Sequence, residues 1–425
     1  MWWWVGVKNF ANRRQLGARW PSARLGARVD RRLESVATPG RALVERVAWL
    51  RLRGILREEC APFDGPSQRA ILSAFDRLPF TNKSPLLPSE DELWCTAAAD
   101  SSLRVQLQRA SAEPVIHRLV DAVARSREWL STVNIADGTV RVSNAGPGLQ
   151  RVAWHSPAAA VDRSSFTISS ARAQWLRDTH QGESCAFDDD LFRMLARYDA
   201  VSGTAAAGAQ AAVPDAVYSA FEHAAGGEAL EAYASPLNHR MRPTPSQPPR
   251  FGTAFADTDV PFGGVGRFDT CAARLLTDGG GDGGGGGVTQ PHQLLLVNPP
   301  FGPRDMLSMA AALEQQLAAR RDGALTAVVV VPTLSARAMG GEAAPHAAPH
   351  MAALEALPSA VASVRLAAGQ HRYVHGLAHR RTRVRSVLRP SAHETAVLVL
   401  STHPQRARIG AAVVDAVKAA FESIR

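Results

Sequence analysis

The sequence predicts an α/β protein built on a parallel sheet that is covered on both faces. Two observations carry that reading. Several strand-length runs are almost wholly apolar, among them LLLV (294–297), TAVVVV (326–331) and AVLVL (396–400). Runs of that kind suit strands buried on two faces. From about residue 206 these runs alternate with helical patterns, as a parallel sheet with crossover helices requires. The 425 residues, 46% of them hydrophobic, are enough for about two or three domains and a sizeable core.

Taken in order, residues 40–59 read as a helix with Leu43, Val47 and Leu50 on one face. From about 61 to 200 the pattern is mostly helical with loops. EPVIHRLVDAVARSREWL (113–130) and FDDDLFRMLARYDAVSG (187–203) are the clearest helices, and Asp188 to Asp190 suit the positive start of the second. VPDAVYSAFEHAAGG is a helix ended by Gly226 and Gly227. ALEAYA (229–234) is a short strand and SPLN a turn. RFGTAFADTD (250–259) reads as a second strand ending in acids, and FGGVG as a loop. TDGGGDGGGGG (277–287) is a flexible insertion; no Gly-Lys-Ser/Thr follows, so it is no phosphate loop. A helix at about 304–320 and strands at 323–335 and 396–403 complete the pattern. The division expected is a basic leader (1–35), a mainly helical accessory domain (36–205) and an α/β domain (206–425).

The net charge of +9 is concentrated at one end. Residues 1–60 hold thirteen Lys+Arg against five Asp+Glu. The first 32 residues carry a single acid, Asp30, and read as either an organelle transit peptide or a disordered basic arm. Trp2, Trp3 and Trp4 do not make a WW domain, which needs about 30 residues of three-stranded sheet. Four cysteines, Cys60, Cys95, Cys185 and Cys271, lie far apart without a CxxC pair, so neither a zinc site nor a disulfide framework is suggested. The histidines have no ligand spacing with carboxylates, and no metal is expected. No apolar run approaches the ~20 residues that span a bilayer, and no membrane partner is expected.

LLLVNPPFGP (294–303) breaks a core strand with an amide, two prolines and a ring. Proline cannot donate to a sheet ladder, so the strand must stop at Asn298. In an open α/β sheet, ligands sit beyond the carboxyl ends of the strands. An adenine N6 amine is a poor nucleophile because its lone pair is delocalised into the ring. Two acceptors, the Asn298 side-chain oxygen and the Pro299 carbonyl, would take its hydrogens and localise that lone pair. Pro299 and Pro300 fix the acceptors before reaction, and Phe301 can stack on the base, an interaction worth about 1–3 kcal/mol. Asn-Pro-Pro-aromatic after an apolar strand is the signature of amino-group methyltransferases that use S-adenosylmethionine.

ALEAYASPLN (229–238), AFADTDVPFGGVG (254–266) and NPPF (298–301), in that order, resemble the phosphorylated C-terminal-domain-interacting factor family. These are cap-specific adenosine N6-methyltransferases of messenger RNA. The resemblance covers roughly 187–403 and includes LARYDA, VPDAVYSAF and HETAVLVLST. Tyr233 stands for the family's Phe and Gly264 for its Ser, and the glycine run is inserted. The resemblance implies a class I (Rossmann-like) fold, S-adenosylmethionine as cofactor, capped mRNA as partner and a nuclear location, or an organelle if the leader is a transit peptide. It implies a cofactor turn spanning Glu231, Ser235, Pro236 and Asn238, with Ser235 and Asn238 offering hydrogen bonds. It also implies that Asp257 or Asp259 accepts from the ribose hydroxyls. Without a WW domain, binding to the phosphorylated polymerase tail is doubtful.

Residues 358–393 contain no acid. Arg372, Arg380, Arg381, Arg383 and Arg385 lie there with Tyr373 among them, a candidate groove for RNA phosphates or a solvated loop between strands. DNA, internal RNA adenine and a non-catalytic RNA-binding scaffold are the alternatives to the cap substrate.

Overall fold

The computed structural model describes residues 38–63, 113–132, 138–155, 165–201, 210–241, 249–277, 292–301, 303–320, 325–333, 349–381 and 387–424, with single positions at 68, 71, 72, 75 and 93. The leader (1–35) and the glycine run beyond Thr277 lie outside them, as do Arg383 and Arg385.

Helix α1 (Pro39–Cys60) starts where Thr38 accepts from the Arg41 amide at 3.3 Å and Pro39 occupies the first turn. Its Leu43, Trp49, Leu52 and Leu56 are fully buried, and Trp49 stacks on Phe75 with centroids 4.8 Å apart. Helix α2 (Glu113–Thr132) follows. Three strands come next, β1 (Thr139–Gly146), β2 (Leu149–His155) and β3 (Ser165–Ser169), joined as an antiparallel sheet in the order β1-β2-β3. Val152, Trp154, Phe166 and Ile168 alternate inward. This sheet departs from the mostly helical expectation for 61–200. β1 contributes no fully buried residue, so its sequence carries little of the alternation that marks a strand. Ser169 caps helix α3 (Ser170–Thr179) through the Arg172 amide at 3.3 Å. Helix α4 (Phe187–Val201) has Asp188, Asp189 and Asp190 in its first turn, as expected from the dipole.

Helix α5 (Asp215–Ala225) ends at Gly226, whose φ of 78° is the left-handed conformation glycine adopts freely. Strands β4 (Ala229–Ala234) and β5 (Phe251–Thr253) are followed by the short helix α6 (Ala256–Asp259) and by α7 (Phe268–Thr277). The expected strand over 250–259 is therefore cut at Thr253: the Phe255 ring turns inward against Tyr198, and Asp257 and Asp259 lie on α6. Then come β6 (Gln293–Val297), α8 (Pro303–Ala319), β7 (Leu325–Pro332), α9 (Pro349–Glu355), β8 (Ala360–Leu366), β9 (Arg372–Val374), β10 (Leu388–Pro390), β11 (Thr395–Ser401) and α10 (Arg406–Ser423).

The main sheet has six strands in the order β5-β4-β6-β7-β11-β8. β5, β4, β6 and β7 run parallel, and β11 is antiparallel to both of its neighbours. Its pleat sorts side chains onto two cores. Leu295, Val297, Val329 and Leu398 face Phe268 of α7 and Met306 and Leu313 of α8. Leu294, Leu296, Val328 and Val397 face Phe221 of α5 and Val413 and Phe421 of α10. Helices thus cover both faces, as the apolar runs predict. Among the described residues no helix is long and apolar enough to cross a membrane.

Candidate active site

The chain leaves β4 for β5 on one side and returns to β6 on the other. Crevices form at such reversals, outside the carboxyl ends of the strands. A cleft of about 630 Å³, open solvent included, occupies that place. Ala232, Tyr233 and Ala234 of β4 line it, with Thr253 of β5 and Asn298 and Pro300 after β6. The starts of α7 and α8 add Phe268, Asp269 and Asp305.

Asn298 is oriented by its amide nitrogen, which donates to the Ala211 carbonyl at 3.0 Å. Its Oδ1 is buried and has no hydrogen-bond partner among the described residues. A buried carbonyl without a donor costs about 1–3 kcal/mol, which makes this oxygen a candidate acceptor at the cleft. Phe301 is half buried, and its ring meets Tyr373 edge-on with centroids 6.0 Å apart. In this arrangement Phe301 does not line the cleft.

The SPLN turn is closed on itself. Asn238 Oδ1 accepts from the Ser235 amide at 2.7 Å and from Ser235 Oγ at 2.9 Å, while its Nδ2 donates to the Gln210 carbonyl at 3.1 Å. Arg172 on α3 is half-buried and donates from Nε to the Pro236 carbonyl at 2.9 Å and from Nη1 to the His239 carbonyl at 3.2 Å. Burial lowers its pKa to about 9. Asn238 lines the cleft and Ser235 is fully buried behind it. Glu231 is buried too; its Oε1 accepts from the Arg240 amide at 2.5 Å, and burial pushes its pKa up to about 7.

Asp257 and Asp259 do not line the cleft. Asp257 is held by Arg197 of α4, whose Nη2 donates to Oδ2 at 2.7 Å and also reaches Glu45 of α1 at 3.2 Å. Burial alone would lower the Arg197 pKa; Asp257 and Glu45 outweigh it and raise it. Asp259 is completely buried and accepts from Tyr198 Oη at 2.6 Å, from Thr258 Oγ1 at 3.0 Å and from Thr253 Oγ1. The loop glycines also serve the fold rather than the cleft: the Thr253 amide donates to the Gly266 carbonyl at 2.8 Å and the Val265 amide to Phe251 at 2.9 Å, so 263–266 runs alongside β5. A Cβ on Gly263, at φ 99°, would fall 2.2 Å from the Pro249 carbonyl oxygen.

Two features of the cleft have no counterpart among the residues expected from sequence. Arg267 and Asp269 form a bidentate pair at its wall, 3.1 Å from Nε and 2.7 Å from Nη2. Gln210 and Ala211 present the carbonyls that hold Asn238 and Asn298, and Ala212 pairs with Val374 beyond them. Backbone acceptors leave no side-chain signature to read.

In the basic run, Arg372 sits on β9, and Arg380 donates to Asp199 Oδ1 at 2.6 Å. The other Asp199 oxygen takes Arg46 of α1 at 2.6 Å. Tyr373 is buried, with its hydroxyl on Thr395 Oγ1 at 3.0 Å. Arg381 is half buried.

These features define an α/β protein with an acceptor-bearing crevice at the reversal of its strand order. Residues 174–376 match the family model described as "Phosphorylated CTD interacting factor 1 WW domain". No curated protein matches the chain. The description names a WW domain, so the expectation that the chain lacks one does not stand, nor does the doubt about polymerase-tail binding built on it. Trp2, Trp3 and Trp4 lie outside the match, which begins beside Trp175, the sole tryptophan within it.

Proposed function

We propose that this protein is a class I methyltransferase that uses S-adenosylmethionine to methylate adenosine N6, with the cap-adjacent 2′-O-methyladenosine of mRNA as its substrate. The observation that carries the reading is the buried Oδ1 of Asn298 at the cleft, which has no hydrogen-bond partner among the described residues. A residue tethered through Nδ2 and left open at Oδ1 can only accept, and an amine that must lose its planarity needs an acceptor. The strand order supports the fold class, since β11 is the single antiparallel strand and lies next to the edge strand. The family match supports binding to the phosphorylated polymerase tail, and a nuclear location is part of this reading.

The lining fits the cofactor in kind. Tyr233 and Phe268, with ring centroids 5.6 Å apart, offer apolar surface, and Asp269 and Asp305 offer polar atoms. These residues would hold S-adenosylmethionine, which supplies an electrophilic methyl group on a sulfonium. The chain's own part is to orient the amine through Asn298, to fix that acceptor through Ala211 and the two prolines, and to keep the SPLN turn rigid through Arg172. Helices α1 and α4 brace the site in this account, and Arg372, Arg381, Arg383 and Arg385 take RNA phosphates.

The test combines two measurements. Calorimetric titration should show S-adenosylmethionine binding, and labelled methyl transfer should favour capped RNA over uncapped RNA and DNA in parallel reactions. Equal transfer to DNA would move the substrate to DNA adenine. Binding of RNA without any cofactor binding would make the protein a non-catalytic scaffold.

A further inference from the structure

Thr253 closes one wall of the cleft, yet its hydroxyl is turned away into the protein. There it donates to Asp259 Oδ2. The same oxygen accepts from Tyr198 Oη at 2.6 Å, and Tyr198 Oη lies 3.4 Å from Thr253 Oγ1. The three side chains are almost fully buried. Tyr198 belongs to α4, more than fifty residues upstream of β5. Its neighbours on that helix reach the same region from other directions. Arg197 grips Asp257, and Asp199 ties Arg46 to Arg380. Space on the far side is used up as well. A Cβ added to Gly264 would lie 2.6 Å from Thr253 Cγ2 and 2.8 Å from Asp259 Cβ.

We propose that Tyr198 and Asp259 are positioning residues for the cofactor: through one shared carboxylate oxygen, helix α4 sets where Thr253 and the backbone after β5 stand at the cleft wall. This rests on the reading of the cleft as the S-adenosylmethionine site. Asp259 touches no ligand in this account, and an acid after the second strand of the sheet acts here from inside the protein. Replacing it would alter the wall without removing a ligand contact. Because both hydroxyls converge on one oxygen, loss of either should expose most of the effect of losing both.

The experiment compares wild type with Tyr198→Phe, Thr253→Val, Asp259→Asn and the Tyr198→Phe/Thr253→Val pair. Amide hydrogen exchange over 249–262 is read first, without cofactor. S-adenosylmethionine binding and the split between KM and kcat follow. Tyr198→Phe and Asp259→Asn should speed exchange in 249–262 with other segments unchanged. They should weaken S-adenosylmethionine about 3- to 10-fold, the range of one net hydrogen bond, and raise its KM more than they lower kcat. The double variant should be clearly less impaired than the product of its two single effects. Exchange and affinity equal to wild type would overturn the proposal, and so would independent, multiplicative effects in the double variant. If wild type binds no S-adenosylmethionine, the reading of the cleft falls, and the exchange measurement alone upholds or overturns the clamp.

Discussion

Asn298→Ala removes an acceptor whose other end is anchored to Ala211, so the variant should keep its cofactor and lose its chemistry. Methyl transfer under single-turnover conditions should fall by about 10²-fold or more, the scale for losing one preorganised polar group at a reacting centre. Calorimetric S-adenosylmethionine affinity should stay near wild type. Asp259 makes a different prediction, for stability against pH. Burial raises its folded pKa to about 7 from an ordinary 3.8. Between those values the folded protein keeps a proton that the unfolded chain has released, so stability falls as pH rises from about 4 to about 7. In Asp259→Asn that contribution is absent, and urea midpoints should decline less steeply over the window; an unchanged slope would show that Asp259 titrates normally. The two residues also show what a sequence can disclose. Asn298 is legible because strand, amide and prolines are contiguous. The burial of Asp259 is not, because it is created by Tyr198, whose place beside β5 depends on the whole helical layer.

At the level of elements, the buried strands and their helices were readable because double-sided burial writes itself as apolar runs. The three strands β1, β2 and β3 escape a sequence reading because β1 is half exposed and β2 and β3 bury only two residues each, and β5 is overextended because Ala-Phe-Ala carries no turn residue. The basic run needs structure to be sorted. Arg380 is engaged with Asp199 and Arg46 with the same carboxylate, so Arg380→Ala should loosen the contact between α4 and the 378–380 turn. Replacing Arg381, Arg383 and Arg385 with alanine should act on RNA instead. Each true phosphate contact removed should lower the slope of log affinity against log salt by up to about 0.7 on a single strand. Fluorescence titrations at several salt concentrations check this, and parallel lines for wild type and variant would return these arginines to a solvated loop.

For the whole molecule, the account separates catalysis from address. Removing residues 1–35 should leave methyl transfer in vitro at the wild-type level; loss of activity in a folded truncation would make the leader part of the RNA site. The network running from α1 through α4 to α6 makes the helical layer different. Glu45 and Arg46 of α1 meet Arg197 and Asp199, and these meet Asp257 and Arg380. In the proposed function that layer braces the site, a role no single motif announces. The central claim is that the orphan acceptor at Asn298 serves an adenine amine. Its most direct test is to label capped, 2′-O-methylated RNA with the wild-type protein and S-adenosylmethionine, digest it to nucleosides and identify the labelled species. The account predicts N6,2′-O-dimethyladenosine from wild type and none from Asn298→Ala; label on another atom or another base, or equal label from both proteins, would contradict it.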